Sequence, residues 1–235
     1  MKIKITESQY KRLVEGPDLS SDLLEQGILN TIKKNVKKVY NYFTSDDSVG
    51  CNSLKATNWR NLYDILIKKG LIKSGEPLLI IWGPNQTFNY TTNGKTSLLS
   101  GSVSTGVNGF GSTTDSKKTP SGLLKISNKI KARDYEVLVG KTPTGKILGP
   151  NIDSTRVDDK GRKHIAEVLT SILELKGLEN CNSNTYDRSI YLHGTNKEKK
   201  LGIKASNGCV RISNGNIKKL MSMVNVGTKV FIYGE

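Results

Sequence analysis

The chain has 235 residues, 24% charged and 35% hydrophobic, with 23 glycines and a net charge of +15 at neutral pH. That length allows one large domain or a domain plus an appendage. No window approaches the ~20 apolar residues a membrane span needs, and Met1-Lys2-Ile3-Lys4-Ile5-Thr6-Glu7 lacks the apolar run of a signal peptide. A basic surface favours polyanions such as nucleic acid, anionic lipid or an anionic cell-wall polymer. The lysines are spread over expected loops and helix faces, and no zinc-finger or RNA-binding signature is present, so a solvated lysine-rich surface is the plainer reading.

Residues 1–76 read as helical. Thr6-Glu7-Ser8-Gln9 has capping-box spacing ahead of Tyr10, Leu13 and Val14, and Gly16-Pro17 breaks that helix. A longer helix is expected from about Ser21 to Phe43, with Leu24, Ile28, Ile32, Val36, Val39 and Phe43 on one stripe. Its lysines make it basic and amphipathic, suited to a neighbouring domain or, less commonly, a membrane surface. A third, short helix is expected at about Asn58 to Lys69.

Near Pro77 the periodicity changes. Leu78 to Trp82, Thr87 to Thr92 and Leu98 to Val103 read as strands, with a tight turn at Asn93-Gly94. Gly106-Val107-Asn108-Gly109-Phe110-Gly111 lacks the Lys-Ser/Thr pair of a phosphate loop and reads as a plain mobile loop. Thr119-Pro120-Ser121-Gly122 turns into Leu123 to Ile126, and Tyr135 to Val139 is a further strand. Ile165, Val168, Leu169, Ile172 and Leu173 follow helical spacing, with Gly177 placed to end a helix. Ser189 to His193 resumes as a strand. A last helix carries Ile217, Leu220, Met221 and Val224, capped by Ser213 or Asn214, and Lys229 to Tyr233 closes as a strand. The expected fold is α+β: a helical region 1–76, then a mainly β domain with two helices over 77–235.

Chemistry concentrates at Cys209 and His193. The chain has two histidines and three cysteines, so few other pairings exist. A thiol attacks as thiolate, and an imidazole is a common means of making one. Strand parity places Tyr191 and His193 opposite Ile190 and Leu192, with His193 leaving the core. Cys209 and Arg211 share a face opposite Val210 and Ile212. A guanidinium beside the sulfur suits a substrate carboxylate. Gly208 allows a tight turn, so the Gly208 and Cys209 amides are candidate oxyanion donors, with Asn207 a third. Tyr191 is a candidate cleft residue. His164 reads as a surface or capping residue. Cys181, in a polar Asn/Ser stretch, reads as a free loop thiol, with a Cys51–Cys181 disulfide left open beside that.

His193-Gly194-Thr195 followed by Ser206-Asn207-Gly208-Cys209-Val210-Arg211 resembles the signature of the YkuD-type L,D-transpeptidases. Ser104-Thr105-Gly106, Lys118-Thr119-Pro120-Ser121-Gly122, Leu175 to Glu179 and Gly227-Thr228-Lys229-Val230 are similar to further stretches of that family. The resemblance covers about residues 78–234. It implies a YkuD-like β-sandwich or barrel and a Cys209 nucleophile with His193 as base. It also implies Asn207, Gly208 and Gly194 shaping the loop, and Arg211, Ser206 and Tyr191 at the substrate. The implied substrate is a peptidoglycan stem peptide, joined in 3→3 cross-links with release of D-Ala, and no metal or organic cofactor is needed. Transfer to water, making an L,D-carboxypeptidase, and a non-catalytic wall-binding module are the alternatives. One position departs from the signature: Asn207 stands where the family has a second histidine, and an amide takes up no proton at neutral pH. The opening Lys4 to Leu13 is similar to the starts of some tailed-phage proteins, which implies a virion-associated or lysis-time route to the wall.

Overall fold

The computed structural model describes Cys51 and residues 54–139, 142–149, 155–157, 163–165 and 168–234. The helices expected at Thr6 and over Ser21 to Phe43 lie outside the described residues. Residues 49–235 form one compact unit.

The unit opens with α1 (Trp59–Lys68), capped by Asn58, whose Oδ1 accepts the Arg60 and Asn61 amides at 3.0 Å each. Strands β1 (Leu78–Trp82), β2 (Thr87–Thr91), β3 (Leu99–Ser104), β4 (Gly122–Lys131), β5 (Glu136–Val139) and β6 (Thr142–Ile147) follow. Then come a two-stranded ribbon of β7 (Thr155–Val157) and β8 (Lys163–Ile165), and β9 (Leu169–Gly177). A 3-10 turn, Asn180–Thr185, leads to β10 (Tyr191–Gly194), and a second, Glu198–Lys200, precedes β11 (Val210–Ile212). The unit ends with α2 (Asn214–Met223) and β12 (Lys229–Tyr233).

The main sheet runs β10-β11-β3-β2-β1-β12-β4-β9-β5-β6, and β10 also pairs with β9, so the sheet closes on itself as a barrel. The β1–β12 and β10–β11 pairs are parallel. Alternation then sorts the apolar side chains into two layers. Leu79, Ile81, Leu124, Ile126, Val230 and Ile232 point to one cluster, completed by Ile217 and Leu220 of α2 and by Val224 just after it. Leu78, Ile80, Trp82, Leu123, Phe231 and Tyr233 point the other way, against Leu62, Tyr63 and Leu66 of α1. Each of those three helix side chains is fully buried, which stabilises the packing by about 2 kcal/mol apiece. This is why β1 reads as an unbroken apolar run: both its faces are covered.

Two expectations are corrected. The helical pattern over Ile165 to Gly177 falls on the end of β8 and on β9, so residues 77–234 hold one α-helix and two 3-10 turns among the described residues. Residues 169–175 are buried throughout, polar Thr170, Ser171 and Glu174 included, so no polar alternation marks the strand. Thr170 has φ +71° beside a register shift in the β9–β10 pairing, a bulge that also breaks the period of two. Helical spacing and doubly buried strands are hard to tell apart by periodicity. His164 lies in β8, opposite Arg156. The second correction is Cys181, which is bonded to Cys51 across 130 residues rather than free.

Candidate active site

The parallel pairing of β10 and β11 sets Leu192 against Val210 and His193 against Arg211. Leu192 and Val210 enter the core, so Tyr191, His193, Cys209 and Arg211 share the other face. The Tyr191 amide donates to Cys209 Sγ at 3.4 Å, and the thiol donates to the Ser189 carbonyl at 3.5 Å. No hydrogen bond joins the sulfur to the imidazole among the described residues. Catalytic contacts commonly tighten only when substrate binds.

His193 is buried at 2% exposure, where parity alone predicts an outward ring. The ring is enclosed rather than turned out to solvent. Its Nδ1 meets the Gly194 carbonyl at 2.7 Å. A proton on Nδ1 then leaves Nε2 as the acceptor. Gly194 is held in turn by Asn214 of α2, whose Nδ2 donates to the Thr195 carbonyl and Glu198 Oε1 at 2.7 Å each and whose Oδ1 accepts from Thr170 Oγ1. A Cβ on Gly194 would sit 2.3 Å from Asn214 Oδ1 and 2.8 Å from the Leu169 carbonyl. Gly194→Ala is therefore expected to displace the imidazole's anchor. Acylation by a carbapenem should slow about 100-fold, read as kcat/KM.

Three separate stretches meet at one hydroxyl. Thr119 Oγ1 accepts the Gly106 amide and donates to the Gly208 carbonyl, both at 2.8 Å. The Ser206 amide reaches the Thr105 carbonyl at 2.9 Å, and Gly106 forms a bridge with Ser206. The glycine-rich loop is thus pinned rather than plain: Phe110 bridges to Thr119, its ring packs against Gly83 and Gly234, and Lys204 lies 5.2 Å above it. Thr119→Val keeps the shape and removes both bonds, at a cost of about 1–3 kcal/mol. The measurement is a urea unfolding midpoint, expected to fall, with acylation slowed as the Cys209 loop loosens.

The loop's own polar groups are largely committed. Buried Ser206 accepts the Gly208 amide at 3.1 Å and donates to the Cys209 carbonyl at 2.5 Å. Gly208, at φ +124°, thus gives the amide expected for an oxyanion to Ser206 in the substrate-free protein. Asn207 is exposed and makes no hydrogen bond among the described residues. Tyr191 is half-buried. Arg211 is buried at 3% and donates to the Ala205 carbonyl at 3.0 Å, so it braces the loop from beneath.

The cation with access to the sulfur is Arg188, which sequence reasoning missed. It is half-buried and donates to the Gly111 carbonyl at 3.2 Å and the Lys118 carbonyl at 2.7 Å. A charge before a strand, with no partner in sequence, gave no signal. Burial pushes the Cys209 thiol up to about 11, against the pull of the Tyr191 amide and the Arg188 charge. Burial also brings His193 down to about 4, opposed by its Gly194 bond, and Arg211 down to about 10. All three shifts disfavour charge, so the resting pair is neutral thiol and neutral imidazole. One group of metal-ligand type occurs among the described residues, Cys51, Glu179 and Cys181, and its sulfurs are bonded to each other.

The closed β domain thus brings His193 of β10 next to β11, the strand that Cys209 immediately precedes. The chain belongs to the L,D-transpeptidase catalytic domain family, YkuD, whose profile matches residues 77–232. It is 45% identical over 47 residues to "Putative L,D-transpeptidase YqjB" of Bacillus subtilis, covering 20% of this chain and 27% of that protein. It is 49% identical over 41 residues to "Probable L,D-transpeptidase YcfS" of Escherichia coli, covering 17% and 13%. The matches thus span about a quarter or less of these curated relatives. Among solved structures, the Enterococcus faecium L,D-transpeptidase catalytic domain acylated by ertapenem aligns with a TM-score of 0.41 at 16% identity, over 69% of this chain and 100% of that one. The Mycobacterium smegmatis L,D-transpeptidase aligns at 0.41 and 17% identity, over 67% and 58%.

Proposed function

We propose that the chain is a cysteine acyltransferase that cross-links peptidoglycan stem peptides, with Cys209 as nucleophile and His193 as base. The observation that supports this reading is the bond from the Tyr191 amide to Cys209 Sγ, which ties the sulfur to the strand of His193 inside the family match. In this reaction the His193 imidazole takes the Cys209 proton as the sulfur attacks the carbonyl carbon of the stem's third residue. The C–N bond to terminal D-Ala breaks, and the imidazolium returns the proton to the departing amine. An acceptor amine then attacks the thioester, giving the 3→3 link and restoring the thiol. Water in that place gives the carboxypeptidase product.

The neutral resting pair supports proton transfer concerted with attack rather than a preformed thiolate. The Cys209 amide is the oxyanion donor in this scheme, joined by Gly208 when substrate frees it from Ser206. Arg188 faces the developing negative charge, and Arg211 and Ser206 hold the loop. The substrate places the reaction outside the cytoplasmic membrane. Among the described residues, no helix is long and apolar enough to cross a membrane. The test is incubation with a tetrapeptide muropeptide read by mass. Loss of D-Ala with a dimer supports cross-linking, and loss without a dimer supports carboxypeptidase activity. Neither product, with no carbapenem adduct, leaves the wall-binding reading, which exposed Asn207 favours.

A further inference from the structure

A second sulfur site lies where β4 begins. Cys51, buried, is disulfide-bonded to the half-buried Cys181 in the 3-10 turn after β9. Glu179 Oε2 lies 3.8 Å from Cys51 Sγ. The same oxygen accepts the Leu123 amide at 2.6 Å and the Asn182 side-chain amide at 3.4 Å. The space around it is made by glycines. A Cβ on Gly122 would come 2.1 Å from Oε2 and 3.1 Å from Cys51 Sγ, and one on Gly177 would come 1.9 Å from the Asn182 carbonyl. Gly122 holds φ +95°, a conformation that favours glycine, so the carboxyl and the sulfur meet only because two positions lack side chains.

Burial pushes the Glu179 carboxyl up to about 7, against the Leu123 amide, which pulls it down. The ionisable side chains on β4 and β9 are Lys125, Lys129, Lys131, Glu174 and Lys176, and none of them contributes to the shift. The group beside the disulfide is therefore a carboxyl whose protonated form is favoured by burial. A cross-link that serves only as a staple has no use for an acid there. Thiol–disulfide exchange does, because the departing sulfur must be protonated for the bond to stay open.

We propose that Cys51–Cys181 and Glu179 form a thiol–disulfide exchange site, opened by a dithiol reductant, with Glu179 supplying the proton to Cys51. The reductant's first thiol ionises to solvent and attacks Sγ of Cys181, the less buried of the two residues. The S–S bond breaks, its electron pair leaves on Cys51, and the Glu179 carboxyl protonates that thiolate. The second reductant thiol passes its proton to the Glu179 carboxylate and attacks the mixed disulfide. Cys181 leaves and takes a proton from solvent. The dithiol ends as a cyclic disulfide, and the protein gains two thiols. Opening removes the one covalent tie, among the described residues, between the segment at Cys51 and the turn after β9.

The test uses the folded full-length chain with Cys209→Ala in every sample, so that one sulfur pair reacts. Dithiothreitol reduces the protein between pH 5.5 and 8.5, iodoacetamide traps the new thiols, and mass gives the rate. Divided by dithiothreitol thiolate, that rate is expected to fall about tenfold as pH rises through 7. Glu179→Gln keeps an acceptor for the Leu123 amide and should give a flat profile, about tenfold slower at pH 6. Glu179→Asp keeps an acid and should keep an inflection. A flat wild-type profile, a Gln variant that matches wild type, or reduction only after unfolding overturns the proposal. The wild-type profile decides even if a variant fails to fold.

Discussion

Cys209→Ala is expected to abolish both D-Ala release and carbapenem adduct formation, a loss of at least about 10⁴-fold in kcat/KM. The other two cysteines and the neighbouring serine are committed elsewhere. Cys51 and Cys181 are spent on each other, and the Ser206 hydroxyl is held between the Gly208 amide and the Cys209 carbonyl. The fold should be untouched, because the sulfur's two contacts are weak and peripheral to the core. Turnover retained by the alanine variant would refute the nucleophile.

His193→Gln should lower kcat/KM by about 10² to 10⁴-fold, because Gln keeps a hydrogen bond to Gly194 and loses the base. The buried ring also makes two pH predictions. Its protonation lies near 4 rather than 6.5, so the acid limb of the wild-type rate profile should fall near pH 4. Stability follows the same group. Above pH 6.5 the ring is neutral in both folded and unfolded chains. As pH falls from 6.5 towards 4 the unfolded chain takes the proton and the folded chain does not, so stability is lost across that window. A shift from 6.5 to about 4 corresponds to about 3 kcal/mol. Urea midpoints of wild type should drop over that range more steeply than those of the Gln variant. A rate inflection near 6.5 would mean that the imidazole is solvated.

What the sequence reveals about the site and what it hides have different causes. The face shared by His193 and Cys209 follows from strand parity, which depends on neighbours alone. Burial of His193 does not, and neither does the network of Asn214, Thr170 and Glu198 around Gly194, whose members are distant in sequence from one another. The stretches at Thr105, Thr119 and Ser206 are recognisable separately, but the Thr119 hydroxyl that joins them is visible only in three dimensions. Arg211 follows the cysteine and so invites a role at the substrate, yet it is buried on the Ala205 carbonyl, and the charge that acts on the sulfur is that of Arg188. Strands β1 and β12 match expectation because they are short and apolar. β9 does not, because it buries Thr170, Ser171 and Glu174 among its apolar residues and carries a bulge.

The parallel pairing of β1 with β12 has a consequence for how the chain reaches this state. Leu78 lies against Lys229 and Trp82 against Tyr233, so a central seam of the barrel joins segments about 150 residues apart. Between them must be placed both the β10–β11 pair that carries the candidate site and its closure onto β9. Such a seam forms late, because its loop entropy is repaid only when the strands on either side are ready. Until residues 229–233 arrive, β1 and β4 each expose an apolar edge to solvent. Folding speed and resistance to aggregation should therefore depend on a five-residue strand far from the chemistry.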